Sequence, residues 1–196
     1  MRVLSMSSDV NVYKLSQQIL KNEPKILNQY PPTNYNNEYS DGGTGLGLES
    51  LTSRFWHFNV LKWWGTGLLK KNIRNGYEEY NKIKNKPLYV QCWANVMRKG
   101  DKIKSHIHET DPHISSISAL SGHLNVKVDG STSTYYNGEP KLNIQGEMTL
   151  FPSGMPHWTD TYNGEEERIT VAFDINSKDY FDFDIHKDAR SHWVKI

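Results

Sequence analysis

Gly100-Asp101-Lys102-Ile103-Lys104-Ser105-His106-Ile107-His108 opens the stretch on which the reading of this chain turns. Gly146-Glu147-Met148-Thr149-Leu150-Phe151-Pro152-Ser153-Gly154-Met155-Pro156-His157 closes it, and Arg168-Ile169-Thr170-Val171-Ala172-Phe173 follows. Side chains alternate across an extended segment, so His106 and His108, one residue apart, point the same way. His157 falls at the edge of another predicted strand, where it can close on the pair and complete a facial metal site. Neutral imidazole is a ligand for Fe(II), Zn(II) or Ni(II). Arg168, on the following strand, is placed to pair with a carboxylate beside the metal. Any one of these histidines alone would read as a surface residue. The His-x-His pair together with the Pro-Ser-Gly-Met-Pro-His turn favours the metal.

Outward from this stretch the apolar period is two. Leu88 to Met97 reads as a strand, and Arg98 to Asp101 turns on Gly100. Further strands are expected over Ile114 to Leu120, Leu124 to Val128, Thr132 to Tyr136, Lys141 to Ile144, Glu147 to Phe151 and Arg168 to Phe173. Asp129-Gly130, Asn137-Gly138 and Asn163-Gly164 supply hairpin turns. Many short strands separated by turns predict a barrel or sandwich. Upstream, Val12, Leu15, Ile19 and Leu20 recur at helical spacing within Asn11 to Lys21. Asn22 to Tyr39, with Pro31-Pro32, reads as a loop. Leu51 to Trp64 is rich in aromatics expected to pack in the core. Gly65 to Lys84 reads as a helix with Leu68, Leu69, Ile73, Tyr77 and Tyr80 on one stripe, although Asn75-Gly76 is also a turn signal.

The chain of 196 residues suits a single domain. Residues 1–87 form a helical and loop region, 88–176 the β core, and 177–196 a tail lying back on the body. With 23 Lys+Arg against 22 Asp+Glu, the formal charge of +1 argues against a nucleic-acid-coating or polybasic membrane protein. A small molecule or a peptide is the expected partner. The single cysteine, Cys92, cannot form an internal disulfide, which points to a reducing compartment, the cytoplasm. The N-terminus carries no sustained apolar run of a signal peptide. No run approaches the roughly 18 apolar residues that span a bilayer. Gly42 to Gly47 follows no strand and lacks Gly-Lys-Ser/Thr, so a flexible loop, or one that gates the site, is favoured over a phosphate cradle.

Gly-x5-His-x-His, Gly-x5-Pro-Ser-Gly-x2-His and Arg-Ile-Thr-Val-Ala-Phe together resemble the core of iron(II)/2-oxoglutarate oxygenases. The similarity is greatest to the members found in phages and marine bacteria, with their Trp-x-Asn-Val, Gly-Asp, His-x-His and Phe-Pro-Ser-x-x-x-His signatures. It covers Gln91 to Asn176, somewhat under half of the chain. The resemblance implies a mainly β fold, a double-stranded β-helix (jelly roll, cupin-like) flanked by N-terminal helices. It implies Fe(II) held by His106, His108 and His157, and 2-oxoglutarate as cosubstrate. It also implies that Arg168 binds the distal carboxylate of 2-oxoglutarate, assisted by the Thr170 hydroxyl, which shares its strand face. Asn95 and Trp93, by strand parity, face the same cavity. Better-known members carry Asp or Glu where this chain has His108. If a carboxylate is required, Asp111 or Glu109 must supply it. His113 lies near enough to touch substrate, whereas His57, His123, His186 and His192 read as surface or core residues.

Two other readings compete. The second histidine motif also fits a cupin, but Pro112 and His113 stand where a cupin has Glu, and Thr161 where it has Asn. A cupin accounts for neither Arg168 nor the N-terminal helical region. The other reading is a non-catalytic β-barrel that binds metal for stability. Lys70, Lys71 and Arg74 read as a solvated helix face. The alternative for Arg168 itself is a hairpin ion pair with Glu165, Glu166 or Glu167.

Overall fold

A computed structural model describes residues 2–32, 41, 43–108, 120–177 and 192–196. It is mainly β, with nine strands in two antiparallel sheets. The strands are β1 (Leu4–Ser7), β2 (Leu88–Met97), β3 (Leu120–Lys127), β4 (Ser133–Tyr136), β5 (Glu139–Leu142), β6 (Glu147–Pro152), β7 (His157–Thr159), β8 (Arg168–Ser177) and β9 (Val194–Lys195). The larger sheet has the order β1-β6-β3-β8-β2-β9, the smaller β5-β4-β7. Helices α1 (Val12–Gln29) and α2 (Gly67–Asn81) precede the β core. This is the double-stranded β-helix with flanking N-terminal helices. No helix among the described residues is long and apolar enough to cross a membrane.

Strand alternation sorts the large sheet into two faces. Val90, Cys92, Ala94 and Val96 of β2, Leu124 and Val126 of β3, Met148 and Leu150 of β6, and Ile169, Val171, Phe173 and Ile175 of β8 share one buried apolar cluster. Leu15, Ile19 and Ile26 of α1 and Leu69, Ile73 and Tyr77 of α2 complete it, so the helices cover this face. The intervening residues face the other way: Trp93, Asn95 and Met97 of β2, Ser121 and His123 of β3, and Arg168, Thr170, Ala172 and Asp174 of β8. Most of these are also buried, and most are polar. The interior is therefore apolar on the helical side and polar on the other.

Several expectations change. Helix α1 runs past Lys21 to Gln29, through Pro24. The proline removes the hydrogen bond to the Leu20 carbonyl. The extra turns are held because Ile26 is buried and Glu23 takes both Nη atoms of Arg98, at 3.0 and 2.8 Å. In α2, Leu68 is exposed, and the buried face is Leu69, Asn72, Ile73, Gly76 and Tyr77. Gly76 stays helical because a Cβ there would lie 2.8 Å from Leu150 Cδ1, so a glycine is what lets the helix approach the sheet. The aromatic stretch is less buried than expected: Leu51, Val60 and Leu61 enter the core, Phe58 and Trp63 pack at its margin, and Trp64 is 91% exposed. Leu120 to Lys127 is one continuous strand rather than a break between two, and the strand expected over Ile114 to Leu120 lies mostly outside the described residues. Two strands were not anticipated. β1 pairs with β6, Met6 opposite Met148, and β9 pairs with β2, Val194 opposite Val90.

Asn137-Gly138 turns as expected, with φ of 50° and 93°, between β4 and β5. Gly122 has a different reason to be glycine. A Cβ there would lie 2.5 Å from the Thr149 carbonyl oxygen and 2.6 Å from the Phe173 ring, neither of which can retreat. Gly122→Ala is expected to cost about 2–3 kcal/mol. Gly76→Ala meets only flexible side-chain ends and gains helix propensity, so its change should stay within about 1 kcal/mol. Urea unfolding of the two variants checks the contrast.

Candidate metal centre

The segment from Ile103 to His108 carries no regular strand but is pinned at intervals. Lys104 N–H donates to the Thr44 carbonyl at 2.7 Å, and Ile103 N–H to Thr159 Oγ1 at 3.0 Å. His106 and His157 form an antiparallel bridge, exchanging N–H···O bonds of 3.2 and 3.1 Å. Two residues on, His108 N–H donates to the Ser153 carbonyl at 2.9 Å, within the Pro-Ser-Gly turn. A bridged pair carries its side chains to the same side, and a residue two further along shares that side. The three rings therefore converge. Their possible ligand atoms lie within 4.8 Å of one another.

Each ring is oriented by what its Nδ1 touches. His106 Nδ1 lies 2.9 Å from the Lys104 carbonyl oxygen and His157 Nδ1 3.0 Å from that of Met155. His108 Nδ1 lies 2.6 Å from Asp174 Oδ1. Only the N–H tautomer at Nδ1 satisfies an oxygen acceptor, which leaves each Nε2 as a lone pair. The Nε2 atoms of His106 and His108 are 3.3 Å apart. Two lone pairs at that distance repel unless a cation sits between them. Two nitrogens about 2.1 Å from one ion and about 100° apart are separated by the same distance. Burial, and then His108, pull the pKa of His106 down to about 4 and that of His157 well below the usual value. Both rings are thus neutral at pH 7, as metal ligation requires. The residues fit a divalent metal, which the three Nε2 atoms would hold.

Asp174 escaped sequence reading, which ended the last strand at Phe173. It lies on β8 in the same alternation as Arg168 and Thr170, and that parity was its signal. Its Oδ1 also accepts from Ser121 Oγ at 2.6 Å, and Ser121 Oγ reaches Ser153 Oγ at 2.9 Å. The carboxylate is therefore tied to the same turn that holds His108. A carboxylate behind a ligating imidazole fixes the ring and raises its basicity.

Arg168, Thr170 and Asn95 line the cavity onto which the histidines open, with Trp93, His123, Phe151 and Thr44. Arg168 is 2% exposed. Among the described residues its Nη1 hydrogen-bonds Met97 Sδ, at 2.8 Å, and its Nε has no acceptor. The glutamates considered for it pair elsewhere. Lys99 takes Glu165, and Lys127 takes Glu166 and Glu167 at 2.9 and 3.1 Å. Burial pulls the Arg168 pKa to about 10, so the charge persists at pH 7. Asn95 Oδ1 accepts from Thr52 Oγ1 at 2.5 Å, and its Nδ2 donates to Thr170 Oγ1 at 3.4 Å, leaving the Thr170 hydrogen free to donate. His123, expected at the surface or in the core, is buried against the cavity with Tyr136 Oη at 3.4 Å. His57 is exposed and stacked on Tyr30, and His192 packs edge-on to Trp56. Glu109, Asp111, His113, His186 and Gly42 lie outside the described residues. The rest of the Gly-rich loop turns about Asp41, whose carboxylate accepts from Gly43 and Gly47 N–H, and it presents Thr44 to the cavity.

No family model and no curated protein matches this chain in sequence. Solved structures do match in fold. A viral collagen prolyl hydroxylase from Paramecium bursaria Chlorella virus 1, in complex with 2-oxoglutarate, superposes with a TM-score of 0.56 at 10% identity, over 90% of this chain and 97% of that one. A non-heme α-ketoglutarate-dependent epimerase from nogalamycin biosynthesis gives 0.54 at 10% identity, over 89% and 77%. A Pseudomonas putida prolyl-4-hydroxylase gives 0.51 at 11% identity, over 90% and 92%. The chain shares their fold.

Two outcomes are expected. Asp174→Asn should weaken divalent-metal affinity about 10- to 100-fold, measured by competition with a chromogenic chelator. His123, held down to about 3 chiefly by burial and then by Arg168, binds a proton only when the chain unfolds. Stability of the metal-free protein should therefore fall as pH drops below about 6.5, by at most about 1.4 kcal/mol per pH unit for this group. His123→Gln should flatten that slope in urea titrations at stepped pH.

Proposed function

We propose that the protein is an Fe(II)- and 2-oxoglutarate-dependent oxygenase that hydroxylates a small molecule or a peptidyl residue. The observation that carries this reading is Arg168: a buried cation that makes no ion pair among the described residues, with Asp129 acting on it only from beyond ion-pair distance, and that lines the same cavity as the histidine cluster. A buried charge is costly unless paired, and here the counter-charge is to come from a ligand. The shared fold supports the reading. With iron bound, 2-oxoglutarate and dioxygen become succinate, CO2 and a hydroxylated substrate, R–H gaining one oxygen atom and succinate the other.

In this reading His106, His108 and His157 hold the metal, and Asp174 fixes the His108 ring. Arg168 receives the distal carboxylate in a forked hydrogen bond that an ammonium would not reproduce. Thr170 donates a second hydrogen bond to the same end, its oxygen steadied by Asn95. Arg168 and Thr170 are themselves buried, so these contacts act in a medium of lower dielectric than water. A cupin-type metalloprotein shares the three-histidine donor set, but it leaves Arg168 without an ion-pair partner among the described residues.

Anaerobic titration of the Fe(II)-loaded protein with 2-oxoglutarate tests the proposal. A weak visible charge-transfer band should appear on chelation and be lost in Arg168→Ala. Iron binding without a band contradicts the reading and favours the cupin alternative, for which thiols and sugars are the ligands to try.

A further inference from the structure

Arg168 Nε is not the only donor in this cavity without an acceptor. The indole Nε1–H of Trp93 is buried and has no hydrogen-bond partner among the described residues. Trp93 is 7% exposed and lines the same cavity. Its ring tilts against His108 at 5.6 Å between centroids and against Phe55 at 5.7 Å, so the indole is held between the cluster and the chain behind it. A buried N–H without a partner costs about 1–3 kcal/mol, and such groups in native structures ask for an explanation.

The pairing of β2 with β8 shows how the two donors relate. Trp93 lies opposite Ala172, Asn95 opposite Thr170, and Met97 opposite Arg168. These residues form one stripe across two strands, and at about 3.3 Å per residue Trp93 stands about 13 Å along it from Met97. Arg168 marks one end. Trp93, against His108, marks the metal end. Between them Asn95 and Thr170 are already bonded to each other. A ligand with an acceptor at each end satisfies both orphan donors at once, and an α-oxo dicarboxylate is such a ligand.

We infer that Trp93 is a positioning residue for the oxoacid. Its indole N–H donates to an oxygen at the oxalyl end, while Arg168 holds the distal carboxylate. The inference rests on the oxygenase reading and adds a second anchor to it. The indole acts as a donor whose direction is set by its packing against Phe55 and His108. It selects for ligands whose metal end carries an acceptor.

The test uses Zn(II)-loaded, 15N-labelled protein and N-oxalylglycine, a stable oxoacid mimic. The Trp93 indole resonance is assigned by its absence in Trp93→Phe, or by contacts from its N–H to the His108 and Phe55 rings should that variant fail to fold. On titration the Trp93 indole proton is expected to shift downfield. Trp93→Phe, which keeps a ring but removes the donor, should bind N-oxalylglycine about tenfold more weakly by calorimetry. Binding that needs Arg168 yet leaves the Trp93 resonance unmoved overturns the assignment and leaves the oxygenase reading standing. An indole that responds only when a prime substrate is added overturns it likewise. Absence of any Arg168-dependent binding overturns both.

Discussion

The antiparallel pairing of β2 with β8, from Leu88 opposite Ser177 to Met97 opposite Arg168, is the constraint from which the site follows. Side chains alternate with a period of two, so a slip of one residue would exchange the faces of β8. Arg168, Thr170, Ala172 and Asp174 would then enter the apolar cluster, and Ile169, Val171, Phe173 and Ile175 would face the cavity. The same register that buries the core thus sets a cation, a hydroxyl and a carboxylate along one line. Helices α1 and α2 secure this by covering the apolar face alone. The cost of burying polar groups on the other face is offset in part by their mutual hydrogen bonds; among the described residues Gln91 Oε1, Asn125 Oδ1, Trp93 Nε1 and Arg168 Nε go without.

The cluster itself rests on a second local device. His106 and His157 belong to segments far apart in sequence, joined by their bridge and by hydrogen bonds between Ile103 and Thr159, and His108 is tied to the turn that delivers His157. Three neutral imidazoles would leave the charge of a divalent ion uncompensated by a direct carboxylate. Asp174 moves that negative charge one group outward, behind His108. Strengthening His108 as a donor through its own hydrogen bond partly replaces the charge that a direct Asp or Glu ligand would bring.

Strand β2 was legible residue for residue, and β8 from its first residue, because both combine clean alternation with β-branched and aromatic residues. That the three histidines cluster, and that Arg168, Thr170 and Asn95 line one cavity, was legible from strand parity together with the motifs that resemble the oxygenase core. What escaped had no local signal. β1 and β9 are too short to show periodicity and exist only through pairing with distant partners. α1 passes a proline because Ile26 and the Glu23–Arg98 pair stabilise its last turns, a tertiary effect outweighing local propensity. Gly122 falls between the two strands expected there, yet lies inside β3, and it is glycine because Thr149 and Phe173 leave no room for a Cβ. Asp174 was hidden because the strand was expected to end at Phe173, whereas β8 runs on to Ser177 with Asp174 on its polar face.

The central claim is that Arg168 is buried for a ligand rather than for the fold. The unfolding free energy of Arg168→Met in the absence of 2-oxoglutarate tests it most directly. Methionine fills a similar volume and brings no charge to desolvate. If Arg168 awaits a dicarboxylate, the ligand-free variant should be as stable as the natural protein or more so, by up to about 4 kcal/mol. A loss of several kcal/mol in the ligand-free variant would make Arg168 a structural residue and contradict the account.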